Sequence, residues 1–177
     1  ITTNQAKRVG RAGAWIADYI TDPFPTAVVG FDANREYLDV AFPCALTVRT
    51  IYLQGLPDFL IGDSNIFPAG TTISSIVNTF EIWWNDGEDW YSMAAGDDEW
   101  KKVTTIIGNG NFGNLKQFAS GLADTYEIGE IDDFPPFKAL EVRIVMTTFT
   151  GNVISTKLGI EVEDPDNKIC KERKCCC

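Results

Sequence analysis

The side chains most able to do chemistry in this sequence are carboxylates, and they gather in two places. Asp86, Glu88, Asp89 and Asp97-Asp98-Glu99 put hard oxygen donors close together, the ligand type that calcium takes. Their spacing is not that of an EF-hand loop, and a solvated acidic hairpin is the simpler reading. No cofactor is therefore expected, and calcium is the one cation that the cluster suits. Asp132-Asp133 is an adjacent pair inside Asp132-Asp-Phe-Pro-Pro-Phe137. A glycosidase needs two carboxylates held apart across the scissile bond, and neighbours in a Pro-rich stretch give no such geometry. The 177 residues contain no histidine. That excludes Ser-His-Asp and Cys-His constellations, His-ligated zinc and an imidazole base within the chain. The expectation is a protein that is not an enzyme and works by binding.

Charge narrows the partners. Twenty-five acidic against 15 basic side chains give a net charge of −10. Nucleic acid is excluded, because phosphate binding needs a basic footprint, and the same sign opposes an electrostatic grip on anionic lipid. The sequence has no apolar run near the roughly 20 residues of a membrane-spanning helix. It starts at Ile1 without Met or a leader pattern, so a processed chain or a piece of a longer one is expected. Cys44 stands alone, whereas Cys170, Cys175, Cys176 and Cys177 crowd the end. That spacing is wrong for a zinc ribbon, and consecutive cysteines seldom satisfy disulfide geometry with each other. These four are the disulfide candidates, with partners expected in a following module or another chain. An oxidising compartment follows, extracellular, secreted or at the cell surface.

The elements that must position these groups are strands. Helical periodicity is nearly absent, and 15 Gly and 8 Pro punctuate short alternating runs. Strands are expected at Tyr37–Phe42, closed by Pro43, and at Thr47–Gln54. Ile76–Trp84 alternates on Val77, Phe80, Ile82 and Trp84. Asn85-Asp86-Gly87 has hairpin-turn chemistry, and Trp90–Met93 returns from it. Val103–Ile107 is β-branched and reads as a strand. Leu140–Phe149 is the strongest strand, turned by Gly151-Asn152 into Val153–Val162. Trp83, Trp84, Trp90 and Trp100 lie on or beside strands and are expected to pack rather than to serve as ligand platforms. The pattern predicts an all-β antiparallel sandwich or barrel. Residues 1–162 form its domain and 163–177 a Cys-rich tail. Three connections exceed hairpin length, at 18–35, 56–72 and 108–137, and long loops are usually functional or disordered.

Several stretches then resemble, in order, the discoidin family, also called the coagulation factor 5/8 type C domain. They are Gln5-Ala-Lys-Arg with Gly13-Ala-Trp15, Tyr37-Leu-Asp-Val40, Thr47–Gly55, Val77–Trp90, Phe134–Ile144 and Ser155–Val162. The resemblance spans roughly residues 5–162. No Cys precedes Cys44, and Ala41 stands where the family commonly has Asp. The resemblance implies a jelly-roll-like sandwich of about eight core strands. It also implies an extracellular, non-catalytic module that meets its ligand through loops at one end.

The loops 18–35 and 56–72 fall where such ligand loops would. A glycan site needs planar polar groups and an aromatic face. Tyr19, Asp22, Asp32, Asn34, Arg35, Asp63 and Asn65 offer the first, with Arg35 and Asp32 forming a hydroxyl clamp. Phe24, Phe59 and Phe67 offer the second, and Leu60 adds an apolar contact. Asp58 and Asp63, without Lys or Arg, disfavour membrane insertion of this loop. The expected partner is a carbohydrate or a cell-surface or matrix protein. The alternative is a structural subunit of an extracellular, disulfide-linked assembly.

Overall fold

The segment with the clearest strand pattern becomes the centre of the molecule. The computed structural model describes residues 37–60, 70–108 and 115–163 together with three two-residue strands nearer the N-terminus. Those short strands are β1 (Thr2–Thr3), β2 (Arg8–Val9) and β3 (Trp15–Ile16). They are followed by β4 (Tyr37–Gln54), β5 (Leu56–Leu60), β6 (Thr72–Asn85), β7 (Trp90–Met93) and β8 (Trp100–Lys102). One helical turn, α1 (Val103–Gly108), precedes β9 (Phe118–Ala119), β10 (Ile128–Ile131), β11 (Phe137–Gly151) and β12 (Ser155–Glu163).

The fold is all-β and antiparallel, with strand order β2-β3-β12-β4-β11-β6-β7-β8. That order departs from the chain order, as a jelly-roll-like sandwich requires. β11 lies between β4 and β6 and pairs with both. β4 pairs with β11 through residues 37–48 and with β12 through residues 47–54. One long strand thus serves β11 and β12 in succession, with β1 and β10 also paired to it, and the sheet closes over a single main core. Leu38, Val48, Ile51, Phe80, Ile82, Phe118, Val142, Ile144 and Met146 are all buried in it. Truncating Phe80, which is fully buried, removes roughly 3–5 kcal/mol of stability.

Several local expectations are corrected. Tyr37–Phe42 and Thr47–Gln54 are one strand, not two. Pro43 is accommodated because the ladder to β11 jumps from Leu46 to Ala41 at an irregularity between Ala139 and Glu141. Proline lacks an N–H and fits a strand where pairing lapses. β6 does not alternate cleanly. Ile73, Ser75 and Val77 are buried on odd positions, whereas Phe80 and Ile82 are buried on even ones. The phase changes where two register shifts interrupt its ladder to β11, between Met146 and Phe149. The β-branched run at 103–107 is helical, not a strand. Among the described residues β8 pairs only with β7, which starts at Trp90, and the ladder ends at Lys102. Tertiary context overrides β propensity there. The first five residues of the 56–72 connection are strand β5, paired with the start of β6. The 108–137 connection contains β9 and β10.

Candidate functional site

Because β4, β11 and β6 are in register, the face of the sheet turned away from the main core carries side chains in rows. Asp39 pairs with Arg143, and Arg143 pairs with Trp83 on its other side. One row along, Glu141 lies between Ala41 and Asn85, and Trp90 pairs with Asn85. In the other direction Val145 lies between Tyr37 and Glu81. The register therefore delivers three aromatics (Tyr37, Trp83, Trp90), three carboxylates (Asp39, Glu81, Glu141) and the Arg143 guanidinium to one area of the sheet.

Arg143 organises it. Its Nε donates to Asp39 Oδ1 at 2.5 Å and its Nη2 to Asp39 Oδ2 at 2.6 Å, a fork-on-fork pair. The guanidinium lies 4.1 Å from the Tyr37 ring centre and 4.5 Å from that of Trp90. The two side chains are only 13% and 5% exposed, so the pair is strengthened by the loss of water around it. Burial, and then the neighbouring Asp39 carboxylate, raise the Glu141 carboxyl above its ordinary range, while Arg143 pulls the other way. Behind them Glu81 is buried and accepts from Trp83 Nε1 at 3.0 Å and from Gln117 Nε2 at 2.9 Å.

Beside Arg143 the sheet face opens into a cleft of about 300 Å³. Trp83, Trp90 and Val103 give it apolar walls, and Glu88, Asp89, Lys102 and Thr104 stand at its rim. α1 completes the wall by burying Val103 against Trp83 and Val145. Lys102 Nζ meets Asp89 Oδ2 at 2.5 Å, and that contact raises the lysine above its ordinary range.

The acidic hairpin is organised by its own turn. Asp86 Oδ1 accepts the N–H groups of Glu88 and Asp89, both at 2.9 Å, and these hold its carboxyl below the usual range. Asp97 pairs with Lys101, and Asp98 meets Lys116 at 3.3 Å. Among the described residues no three acidic or sulfur side chains converge as a metal-holding group. Asp132 and Asp133 are both exposed.

At the loop end, the expected residues fall mostly outside the description. Tyr19, Phe24, Asp32, Arg35, Asp63, Asn65 and Phe67 lie outside the described residues, as do Asp22, Asn34, Cys170, Cys175, Cys176 and Cys177. Phe59 is placed by its backbone in β5, opposite Ile73. Leu60 ends the same strand opposite Thr72 and is 65% exposed. The structure does bring the roots of the two loops together. Ile16, where the chain enters the first loop, pairs with Ser155. The Ser155 N–H donates to Ser75 Oγ at 3.1 Å, and Ser75 pairs with Leu56.

The tryptophans divide. Trp84 stacks on Tyr91 at 4.2 Å and on Phe137 at 5.3 Å, and Trp100 donates from Nε1 to the Pro135 carbonyl at 2.7 Å. Those two pack as expected, as does the buried Trp83. Trp90 is only half-buried and lines the cleft, a role not expected for it. The signal available was its place beside the Asn85-Asp86-Gly87 turn, with Lys102 and Arg143 as the odd cations among apolar strands.

No protein-family model matches the sequence, and no curated protein does. Among solved structures the chain is similar to wild-type discoidin II from Dictyostelium discoideum, at 13% identity and a TM-score of 0.48. It is similar also to the native recombinant discoidin II of that organism, at 14% identity and a TM-score of 0.49. These matches cover 85% and 86% of this chain and 41% and 42% of those chains. The chain thus spans about two-fifths of the length of either.

Proposed function

We propose that this all-β chain is an extracellular or cell-surface binding module, without catalysis, which recognises a carbohydrate or a cell-surface or matrix protein through the loops at one end of its sandwich. The observation that carries the reading is the meeting of the two loop roots. The contact chain Ile16–Ser155–Ser75–Leu56 joins the start of the first loop to the β5–β6 hairpin. Leu60, exposed at the far end of that hairpin, supplies apolar surface, and the polar Asp63 and Asn65 follow it in the sequence. Apolar contact flanked by a few planar polar groups is what a sugar face or a protein surface requires. No helix among the described residues is long and apolar enough to cross a membrane.

Glycan-array or pull-down binding tests the reading, with Arg35→Ala and Phe59→Ala as the loop variants. Loss of a confirmed binding event in either variant supports it. Unchanged binding in both contradicts it. A chelator added to the same assay tests calcium: a drop in binding would assign the acidic hairpin a metal. For the Cys-rich tail, the reading includes a disulfide-linked partner chain or following module. A ladder on non-reducing gels that collapses with reductant supports linkage between chains, and a monomer in both lanes contradicts it.

A further inference from the structure

We propose that the outward face of β10, β4 and β12 is a docking surface for a second copy of this chain, held through that copy's basic segment, residues 168–174. This depends neither on the loop-end reading nor on a disulfide.

Three strands build the face. Gln54 on β4 pairs with Ile128 of β10 on one side and with Lys157 of β12 on the other. Tyr52 pairs likewise with Glu130 and Gly159. The alternate residues Ile51, Leu53 and Ile131 are buried in the main core, so this set faces outward. Tyr52 leans over Gly159, where a Cβ would stand 3.7 Å from its ring, and its hydroxyl donates to Glu161 Oε2 at 3.2 Å. Among the described residues three large apolar side chains are exposed, and two of them are here, Tyr126 at 74% and Ile128 at 66%. Tyr126 is fixed beside Ile128 because its carbonyl accepts from Gln54 Nε2 at 2.9 Å. Single apolar residues scattered on a surface are ordinary, whereas adjoining ones mark a place of contact.

Charge names the occupant. Glu130 and Asp132 are exposed, and neither has a cation within ion-pair distance among the described residues. Lys157 is the one cation on the face among them, and nearby Arg49 is held by Glu163 at 2.5 Å. Carboxylates beside apolar side chains complement a segment that mixes Lys or Arg with apolar groups. The chain carries such a segment itself. Lys168, Lys171, Arg173 and Lys174 are four of its 15 basic side chains, and Ile169 and Cys170 lie among them. Their long stems cover apolar surface while the charged heads reach the carboxylates. Residues 168–174 and the stripe from Tyr126 to Asp132 have the same length, about 20 Å when extended.

The direction of β12 assigns the segment to another copy. β12 is level with Ile128 at Lys157 and ends at Glu163 opposite Thr47, so the chain leaves it heading away from Ile128. A second copy approaches without that reversal. The contact is heterologous, the face of one copy against the basic segment of the next, so a dimer keeps one free face and one free segment.

The test is sedimentation velocity of the full chain with reductant present, across a concentration series at low salt and again at about 0.5 M salt. The face variant is Ile128→Thr/Glu130→Lys, and the segment variant is Lys168→Glu/Lys171→Glu/Arg173→Glu. Circular dichroism checks that both fold. The expected result is concentration-dependent association of the original protein, weakened by salt, and weakened at least about tenfold in each variant, where like charges then face each other. An equal mixture of the two variants should form a dimer and nothing larger, because one intact face meets one intact segment. The inference is overturned if the original protein stays monomeric at every concentration, if either folded variant associates like the original, or if the mixture of folded variants stays monomeric. Should the face variant misfold, the segment variant, changed only outside the described strands, decides alone: association equal to the original overturns the inference, and its loss supports it.

Discussion

Arg143 on β11 holds Asp39 on β4 through two charge-assisted hydrogen bonds of 2.5 and 2.6 Å, clamped between the rings of Tyr37 and Trp90. The pair ties the two strands at their register position and fixes the back wall of the cleft. Removing one member of a buried ion pair leaves the other charge without its counter-charge, which costs about 3–5 kcal/mol. Asp39→Ala and Arg143→Ala are each expected to lower stability by that order in urea unfolding. Arg143→Lys should not restore it, because an ammonium can neither fork onto the carboxylate nor stack flat between the two rings. The double variant Asp39→Leu/Arg143→Met should be more stable than either single alanine change, a non-additivity that marks direct coupling.

Glu141 gives a pH dependence of defined sign. Its carboxyl is raised in the folded protein above the ordinary 4.5, first by burial and then by Asp39. The folded state therefore holds this proton more tightly than the unfolded chain does. Its favourable contribution is full below the unfolded value and is lost as pH rises through the folded value. Glu141→Gln should accordingly be more stable than the original protein at neutral pH. The gain should vanish below about pH 4.5, where the carboxyl is protonated in both states. Thermal melts of both proteins across pH 3.5–8 would read this directly, with the two curves converging on the acid side. A constant offset at every pH would contradict the assignment.

Gly151 closes the turn between β11 and β12. Its φ is +120°, and a Cβ there would stand 2.1 Å from the Ser74 carbonyl oxygen. The adjacent Asn152 accepts from the Ser74 N–H at 3.1 Å and donates to the Thr72 carbonyl at 2.9 Å, so the turn is locked to the start of β6. Gly151→Ala is expected to cost at least about 1–3 kcal/mol from backbone strain alone. Chemical denaturation checks this, and an unchanged midpoint would show that the turn relaxes.

The frame of the molecule was legible where residues repeat with the strand period and turns carry their own chemistry. Leu140–Phe149 and the Asn85-Asp86-Gly87 hairpin are of this kind, and both appear as expected. Other elements depend on long-range pairing. Phe118–Ala119 and Ile128–Ile131 are strands only because β6 and β4 offer them edges. The Val103 run is helical because its would-be partner strand has ended. The sheet-face site was hidden for the same reason. Asp39, Trp90 and Arg143 are scattered along the chain and meet only through the register of four strands. Trp83 and Trp90 look alike in sequence, and both line the cleft, yet the first is buried and the second is only half-buried. The loop-end residues stand out in the sequence by their chemistry alone, and of them the structure fixes Leu60 and the backbone of Phe59.

The central claim, recognition through the loop end, is tested most directly by measuring the affinity of one array-identified glycan or protein partner for the original chain, Arg35→Ala and Phe59→Ala, with circular dichroism confirming that all three fold alike. Measurable binding should fall at least about tenfold in each variant, the loss of one well-placed interaction. Equal affinity in all three folded proteins would contradict it.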